Sequence, residues 1–260
     1  MKVAAIQSAL VLGEVEQNYA LVAEGIERAA AEGADIVVLS ELWNTSFYPE
    51  NVYALADDDG KRTQAFLSAA ARKYHVNIVG GSVASVRQGR LYNTTYVVDR
   101  QGKVAGTYDK VHLFTPGKED AVFTAGDRLN VFELDGVKMA SIICYDLRFG
   151  EWVRMAALAG AKVLFVPAAW PKLRQEHWRI LNQARAIENQ FFVVAVNSCG
   201  LAGDSPFGGT SMLIDPWGKI LAQAGAEPAI IQGNLDLSVI DGIRSTINVF
   251  RDRRPELYHL

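Results

Sequence analysis

Only two cysteines, Cys144 and Cys199, occur in the 260 residues. That is too few for a disulfide framework, and it suits a reducing cytosol. Histidine is also scarce. His75, His112, His177 and His259 show no ligand spacing of the H-x-x-x-H kind, so neither a metal centre nor a cofactor is expected. No charge of one sign dominates, with 26 Lys and Arg against 29 Asp and Glu. The basic residues are scattered, which leaves no electrostatic footprint for nucleic acid or an anionic membrane surface. No run approaches the ~18 apolar residues of a membrane span. The opening MKVAAIQSALVLG superficially resembles a signal peptide, but Gln7 and Ser8 interrupt it and Glu14 and Glu16 follow. It reads instead as a first strand of a cytoplasmic protein. Low-complexity linkers and composition breaks are missing too, so residues 1–260 read as one domain.

Apolar residues are abundant, making up 50% of the chain, enough for a sizeable core. Their spacing predicts a strand at Val3–Gln7, a helix over Gln17–Glu32 stopped by Gly33, and a strand at Ile36–Ser40. A second helix spans about Lys61–Tyr74. Strands follow at Asn77–Ser85, Leu91–Asp99 and Val104–Tyr108, parted by Gln88-Gly89 and Arg100-Gln101-Gly102. A strand pair surrounds Gly136. The second half repeats the first: AEGADIVVL at Ala31–Leu39 parallels ALAGAKVLFV at Ala157–Val166, each a helix end, a glycine stop and an apolar strand. A helix over Gln175–Asn189, a strand at Phe191–Ser198 and strands flanking Asp215-Pro216-Trp217-Gly218 complete the pattern. Two helix-and-strand halves, each with a sheet covered on one side by helices, predict an α/β fold in the form of a four-layer α-β-β-α sandwich.

Three predicted strands end in residues that carry chemistry: Glu41, Lys110 and Cys144. Cys144 ends the apolar run of MASIICYDLR and precedes a helix expected over Phe149–Gly160, where Trp152, Met155, Ala156 and Ala159 share a face. Backbone N–H groups at a helix start favour thiolate over thiol. A lone cysteine beside a strand is more often a small core hydrophobe. Glu41 and Lys110, taken singly, read equally well as surface charge. Together, however, the three supply a base, an oxyanion cation and a nucleophile for acyl transfer, and ligand chemistry in layered α/β folds collects at strand carboxyl ends. A Cys-His hydrolase or glutaminase-type amidotransferase would want glycines two positions either side of the nucleophile, and those positions are Ile142 and Asp146.

The stretches Val38-Leu-Ser-Glu41, Tyr108-Asp-Lys-Val-His-Leu-Phe114, Ile143-Cys-Tyr-Asp-Leu-Arg-Phe149 and His177-Trp…Ala184-Arg-Ala-Ile-Glu-Asn189 span nearly the whole chain. In them the sequence resembles the nitrilase superfamily of carbon–nitrogen hydrolases. The resemblance implies an α-β-β-α sandwich with a catalytic Glu-Lys-Cys triad at Glu41, Lys110 and Cys144, supported by Glu119 in the loop after the lysine. Leu39-Ser40 stands before Glu41 where many relatives have proline. Within the superfamily, CYDLRF, Pro167-Ala-Ala-Trp-Pro171 and Arg253-Arg-Pro-Glu-Leu-Tyr258 are similar to omega-amidases. That similarity implies a small-molecule amide substrate, a 2-oxo dicarboxylate monoamide such as 2-oxoglutaramate or 2-oxosuccinamate, cleaved through a cysteine thioester. Another amide, a nitrile or an N-carbamoyl amino acid is the alternative substrate, and a non-enzymatic binding protein is a further one.

Such a substrate keeps one carboxylate remote from the reacting carbon, so its pocket needs a cation or an array of N–H groups. Arg148 is the nearest in sequence; an internal salt bridge to Glu151 or Asp146 is the equal alternative. Phe47, Tyr145 and Trp170 are expected as pocket walls. The tail over residues 248–260 carries Phe250, Leu257 and Tyr258 among arginines and is too short to bury them alone. The family resemblance implies a homodimer with that tail packed across or along the subunit interface; the helix after the nucleophile is a second candidate for the same interface, and a tail folded back on its own subunit is the alternative.

Overall fold

The computed structural model describes residues 1–258; His259 and Leu260 lie outside the described residues. The first half runs β1 (Lys2–Gln7), α1 (Val15–Ala31), β2 (Ile36–Val38), α2 (Val52–Leu55), β3 (Asp57–Asp58) and α3 (Lys61–Tyr74). It continues through β4 (Asn77–Val79), β5 (Val83–Arg87), β6 (Arg90–Val98) and β7 (Val104–Asp109). The second half comprises β8 (Asn130–Leu134), β9 (Val137–Ser141), α4 (Gly150–Leu158), β10 (Val163–Ala168), α5 (Gln175–Asn189) and β11 (Phe192–Asn197). After these come β12 (Cys199–Ala202), β13 (Ser205–Gly208), β14 (Met212–Ile214), β15 (Ile220–Gln223), β16 (Ala229–Asn234) and α6 (Val239–Thr246).

The strands form two large sheets. One has the order β16-β1-β2-β4-β6-β5-β3 with β7 beside β6, and the other runs β15-β14-β11-β10-β9-β8. At the centre of each the strands are parallel: β1, β2 and β4 in the first, β9, β10 and β11 in the second. Parallel strands buried on both faces need continuous apolar runs, and VLFVPA of β10 is one, buried throughout. Side chains one residue apart then point to opposite faces. Ala4, Val37 and Ile78 face a cluster shared with Val22 and Ile26 of α1 and Leu67 of α3. Leu164 and Val193 face one shared with Ala156 of α4 and Trp178 of α5. Val3, Ile36, Phe165 and Val194 meet in a third cluster built from both sheets. These alternations give the order helix, sheet, sheet, helix. No helix among the described residues is long and apolar enough to cross a membrane.

Three local expectations need correction. The run Asn77–Ser85 is two strands, because the chain turns between them at Gly80 and Gly81. Gly81 has φ +57°, and a Cβ there would stand 2.0 Å from the Ser40 carbonyl, so the turn requires glycine. On α4 the buried positions are Val153, Ala156 and Ala157, while Met155 and Ala159 are exposed. Nearly every residue from Trp152 to Ala159 is apolar, so spacing alone does not choose the face. The β12–β13 hairpin has no counterpart among the expected elements; it packs through Ala202 and Phe207 against Ala169, Leu12 and Phe47.

Candidate active site

The two sheets present their strand ends to one spot. Glu41 lies three residues past β2 in a tight turn, with Leu42 at φ +48°. That turn is pinned to the β4–β5 connection by Ser82 N–H donating to Ser40 O (3.1 Å) and Trp43 Nε1–H donating to Gly80 O (2.8 Å). Lys110 directly follows β7, its N–H donating to Asn93 O of β6 (2.9 Å). Cys144 opens a 3₁₀ turn, Cys144–Arg148, at the end of the β9 segment in the other sheet. Its φ of +46° is in the left-handed region, a strained setting for a non-glycine residue. Arg185 of α5 is buried behind that turn and donates twice to the Leu147 carbonyl, at 3.0 and 2.9 Å.

The structure brings Glu41, Lys110, Glu119 and Cys144 together, each of them buried. Lys110 Nζ donates to Glu41 Oε1 at 2.8 Å and to Glu119 at 2.8 and 3.0 Å. Glu41 Oε2 accepts the Ala169 N–H at 2.8 Å, which ties a residue of the first sheet to the end of β10 in the second. Glu119 Oε2 also accepts the Phe114 N–H at 2.7 Å. Burial works against the charge on Lys110, but the Glu119 and Glu41 carboxylates outweigh it and hold the ammonium well above the usual lysine range. Cys144 goes the other way. Burial, then the adjacent Glu41 charge, pushes the thiol well above its ordinary value, against the opposing influence of Lys110. The expectation of a thiolate favoured by a helix start is thereby corrected. Desolvation and a neighbouring carboxylate both favour the neutral thiol there, while Lys110 and the Ala169 N–H favour the thiolate.

Above this cluster is a narrow pocket lined by Lys110, Cys144, Phe47, Tyr145, Arg148 and Trp170 together with Phe114, Ala169, Pro171 and Arg174. All four expected wall and cation residues are therefore at the pocket. The internal salt bridge considered for Arg148 does not form, since Asp146 is engaged elsewhere. The guanidinium lies over the Trp170 ring, 4.7 Å from its centroid, with no carboxylate partner among the described residues. Burial, and the like charge of Arg174, lower its pKa. The Arg174 guanidinium rests over Phe114 at 5.6 Å, and its carbonyl accepts the Trp170 indole N–H at 2.8 Å.

Sequence reasoning missed Arg174, Phe114, Pro171 and Asn93. Asn93 Nδ2 donates to both Glu41 (2.9 Å) and Glu119 (3.2 Å) from the middle of β6. The polar run Asn93-Thr94-Thr95 inside an otherwise apolar strand was the available signal. No group of three or more His, Cys, Asp or Glu able to hold a metal ion occurs among the described residues.

Comparison with known proteins agrees with this geometry. A family model described as carbon-nitrogen hydrolase matches residues 2–245. The 2-oxoglutaramate amidase of Bacillus subtilis (strain 168) is 43% identical, over 93% of this chain and 95% of that protein. The crystal structure of Nit3 from Saccharomyces cerevisiae, of branch 10 of the nitrilase superfamily, superposes with TM-score 0.91 at 30% identity, over 98% of this chain and 96% of the other. A mutant amidase from Nesterenkonia sp. AN1, with acrylamide added to its active-site cysteine, gives TM-score 0.89 at 28% identity, covering 99% and 98%. The chain belongs to the carbon–nitrogen hydrolase family.

Proposed function

We propose that the protein hydrolyses the amide of a small 2-oxo dicarboxylic acid monoamide, of the 2-oxoglutaramate type, to the dicarboxylate and ammonia. The observation that carries this reading is a buried thiol–glutamate–lysine cluster on the floor of a pocket with two arginines that lack carboxylate partners among the described residues. Glu41 takes the Cys144 proton as the sulfur attacks the amide carbonyl, which suits a thiol whose pKa burial and the Glu41 charge raise. Lys110 and a backbone N–H near Tyr145 hold the oxyanion. The C–N bond breaks, ammonia leaves with the proton returned through Glu41, and a thioester remains on Cys144. Water, deprotonated by Glu41, then releases the acid and restores the thiol. Glu119 keeps Lys110 charged and in position.

The test is ammonia release from 2-oxoglutaramate, with glutamine, a nitrile and an N-carbamoyl amino acid as comparisons. Hydrolysis of the 2-oxo amide should far exceed the others; preference for any comparison substrate would refute the substrate class. Arg148 and Arg174 provide the cations for the remote carboxylate. Hydrogen bonds to charged groups contribute ~1.5–3 kcal/mol, so Arg148→Ala or Arg174→Ala should cost roughly 10- to 100-fold in kcat/KM. The loss should appear in KM, and a neutral aliphatic amide should not register it. Equal losses on both substrates would exclude carboxylate binding as the arginines' role.

We propose further that the protein acts as a homodimer. The tail crosses α4 of its own subunit, where Phe250 is half-buried between Arg154 and Arg244. Leu257 and Tyr258 stay exposed beside Met155 and Leu158 of α4, around one groove. A second copy covering this surface would link assembly to the helix that follows the nucleophile turn. Deleting residues 248–260 should abolish the dimer and most activity. Light scattering that still finds a fully active dimer would show that the tail does neither job.

A further inference from the structure

Asp146, two residues after Cys144, is fully buried and gathers four polar contacts. Its Oδ2 accepts the Tyr108 hydroxyl (2.7 Å) and the Ile143 N–H (2.9 Å). Its Oδ1 accepts the His112 N–H (2.9 Å) and lies 2.7 Å from His112 Nδ1. Tyr108 and His112 stand two residues before and two after Lys110. One carboxylate from the nucleophile's turn therefore grips the lysine segment on both sides. The two segments belong to different sheets, Tyr108 on β7 and Cys144 past β9, so this is a tie between layers. Trp152 Nε1–H of α4 donates to the Tyr108 hydroxyl (3.0 Å), and the His112 ring stacks on Phe149 at 3.7 Å. Asp146 also closes the strained turn itself, since its N–H donates to Ile143 O (3.0 Å) while its side chain accepts the Ile143 N–H.

On the reading that Cys144 and Lys110 carry the reaction, we propose that Asp146 is a positioning residue that sets the Lys110 ammonium against the Cys144 sulfur. Glu41 and Glu119 fix Lys110 Nζ from the side of the first sheet. Nothing in those bonds fixes the backbone of the Cys144 turn. Asp146 does so, and the Tyr108 and His112 pair makes its position specific to the lysine segment. A carboxylate with only acceptor lone pairs matches the three donors Tyr108 O–H, Ile143 N–H and His112 N–H, and His112 Nδ1 in the tautomer that carries its proton there, whereas an amide of the same shape turns an NH2 toward donors.

Asp146→Asn is therefore the diagnostic variant. A misplacement of roughly 1 Å costs about 100-fold, so kcat should fall by about that factor while KM stays within about threefold. Circular dichroism should show a retained fold. The alkylation rate of Cys144 by iodoacetamide, which requires no amide substrate, should fall by about tenfold. In a Lys110→Met background, Asp146→Asn should change that rate no further. Tyr108→Phe removes one donor to Asp146 and also the acceptor of the Trp152 indole N–H; it should give a smaller loss of the same kind, and it replaces Asp146→Asn if the latter does not fold. A variant that melts earlier but keeps kcat and alkylation rate at wild-type values would make Asp146 a structural brace only and overturn the proposal. Failure of the wild-type protein to hydrolyse 2-oxo amides, with the alkylation effects intact, would instead refute the substrate reading alone.

Discussion

Cys144→Ala should leave a folded protein that releases no ammonia. The substitution removes one sulfur from the floor of an open pocket and leaves every hydrogen bond among Glu41, Lys110 and Glu119 in place. Its thermal midpoint should therefore stay close to that of the parent. Cys199→Ala should remain active. Cys199 is buried at the base of the β12–β13 hairpin, where burial and the Glu227 charge push its thiol up to about 11, and it lies outside the pocket that Cys144 lines. Mass spectrometry during turnover of a slow amide should find acyl adduct on Cys144 alone. An adduct on Cys199, or activity in Cys144→Ala, would remove the nucleophile from the mechanism.

The second large effect concerns the two groups around the thiol. Glu41→Gln keeps size and removes the base; Lys110→Met removes the oxyanion cation. One lost oxyanion donor is typically worth ~3–4 kcal/mol, so each variant should lose several hundredfold or more in kcat. Their stabilities should diverge. Glu41→Gln leaves Lys110 paired with Glu119, whereas Lys110→Met leaves two buried carboxylates facing each other without their cation. Breaking a buried pair in this way costs ~3–5 kcal/mol, so Lys110→Met should also melt earlier, and its kinetics belong well below that midpoint. Glu119→Gln should lose less activity than either, because its carboxylate bears on Lys110 and the Phe114 N–H. Near wild-type turnover by Lys110→Met would exclude the ammonium from oxyanion stabilisation.

The sequence by itself determined the layered class and the strand ends that matter. A short, β-branched apolar run after a glycine stop, such as Val163–Val166 after Gly160, reads as an interior strand, and a polar residue that breaks such a run marks where the chain leaves the sheet. Glu41 and Cys144 drew notice for that reason, whereas Lys110 follows the mixed strand β7 and joined them through the family resemblance; the helices at Lys61–Tyr74 and Gln175–Asn189 were legible because their burial repeats along one face. Tertiary structure alone decided what each group meets. Asn93 lies mid-strand and Arg174 in a connecting turn; both reach the site only through the register of β6 against β7 and the stacking of the two sheets. The buried face of α4 was equally undecidable, since an almost wholly apolar helix has no unique stripe until a sheet is laid against it. The electrostatic surroundings of Cys144 were out of reach of the sequence for the same reason. A local helix start is written in adjacent residues, but desolvation and the charge of Glu41, which raise the thiol's pKa, come from chain segments a hundred residues apart.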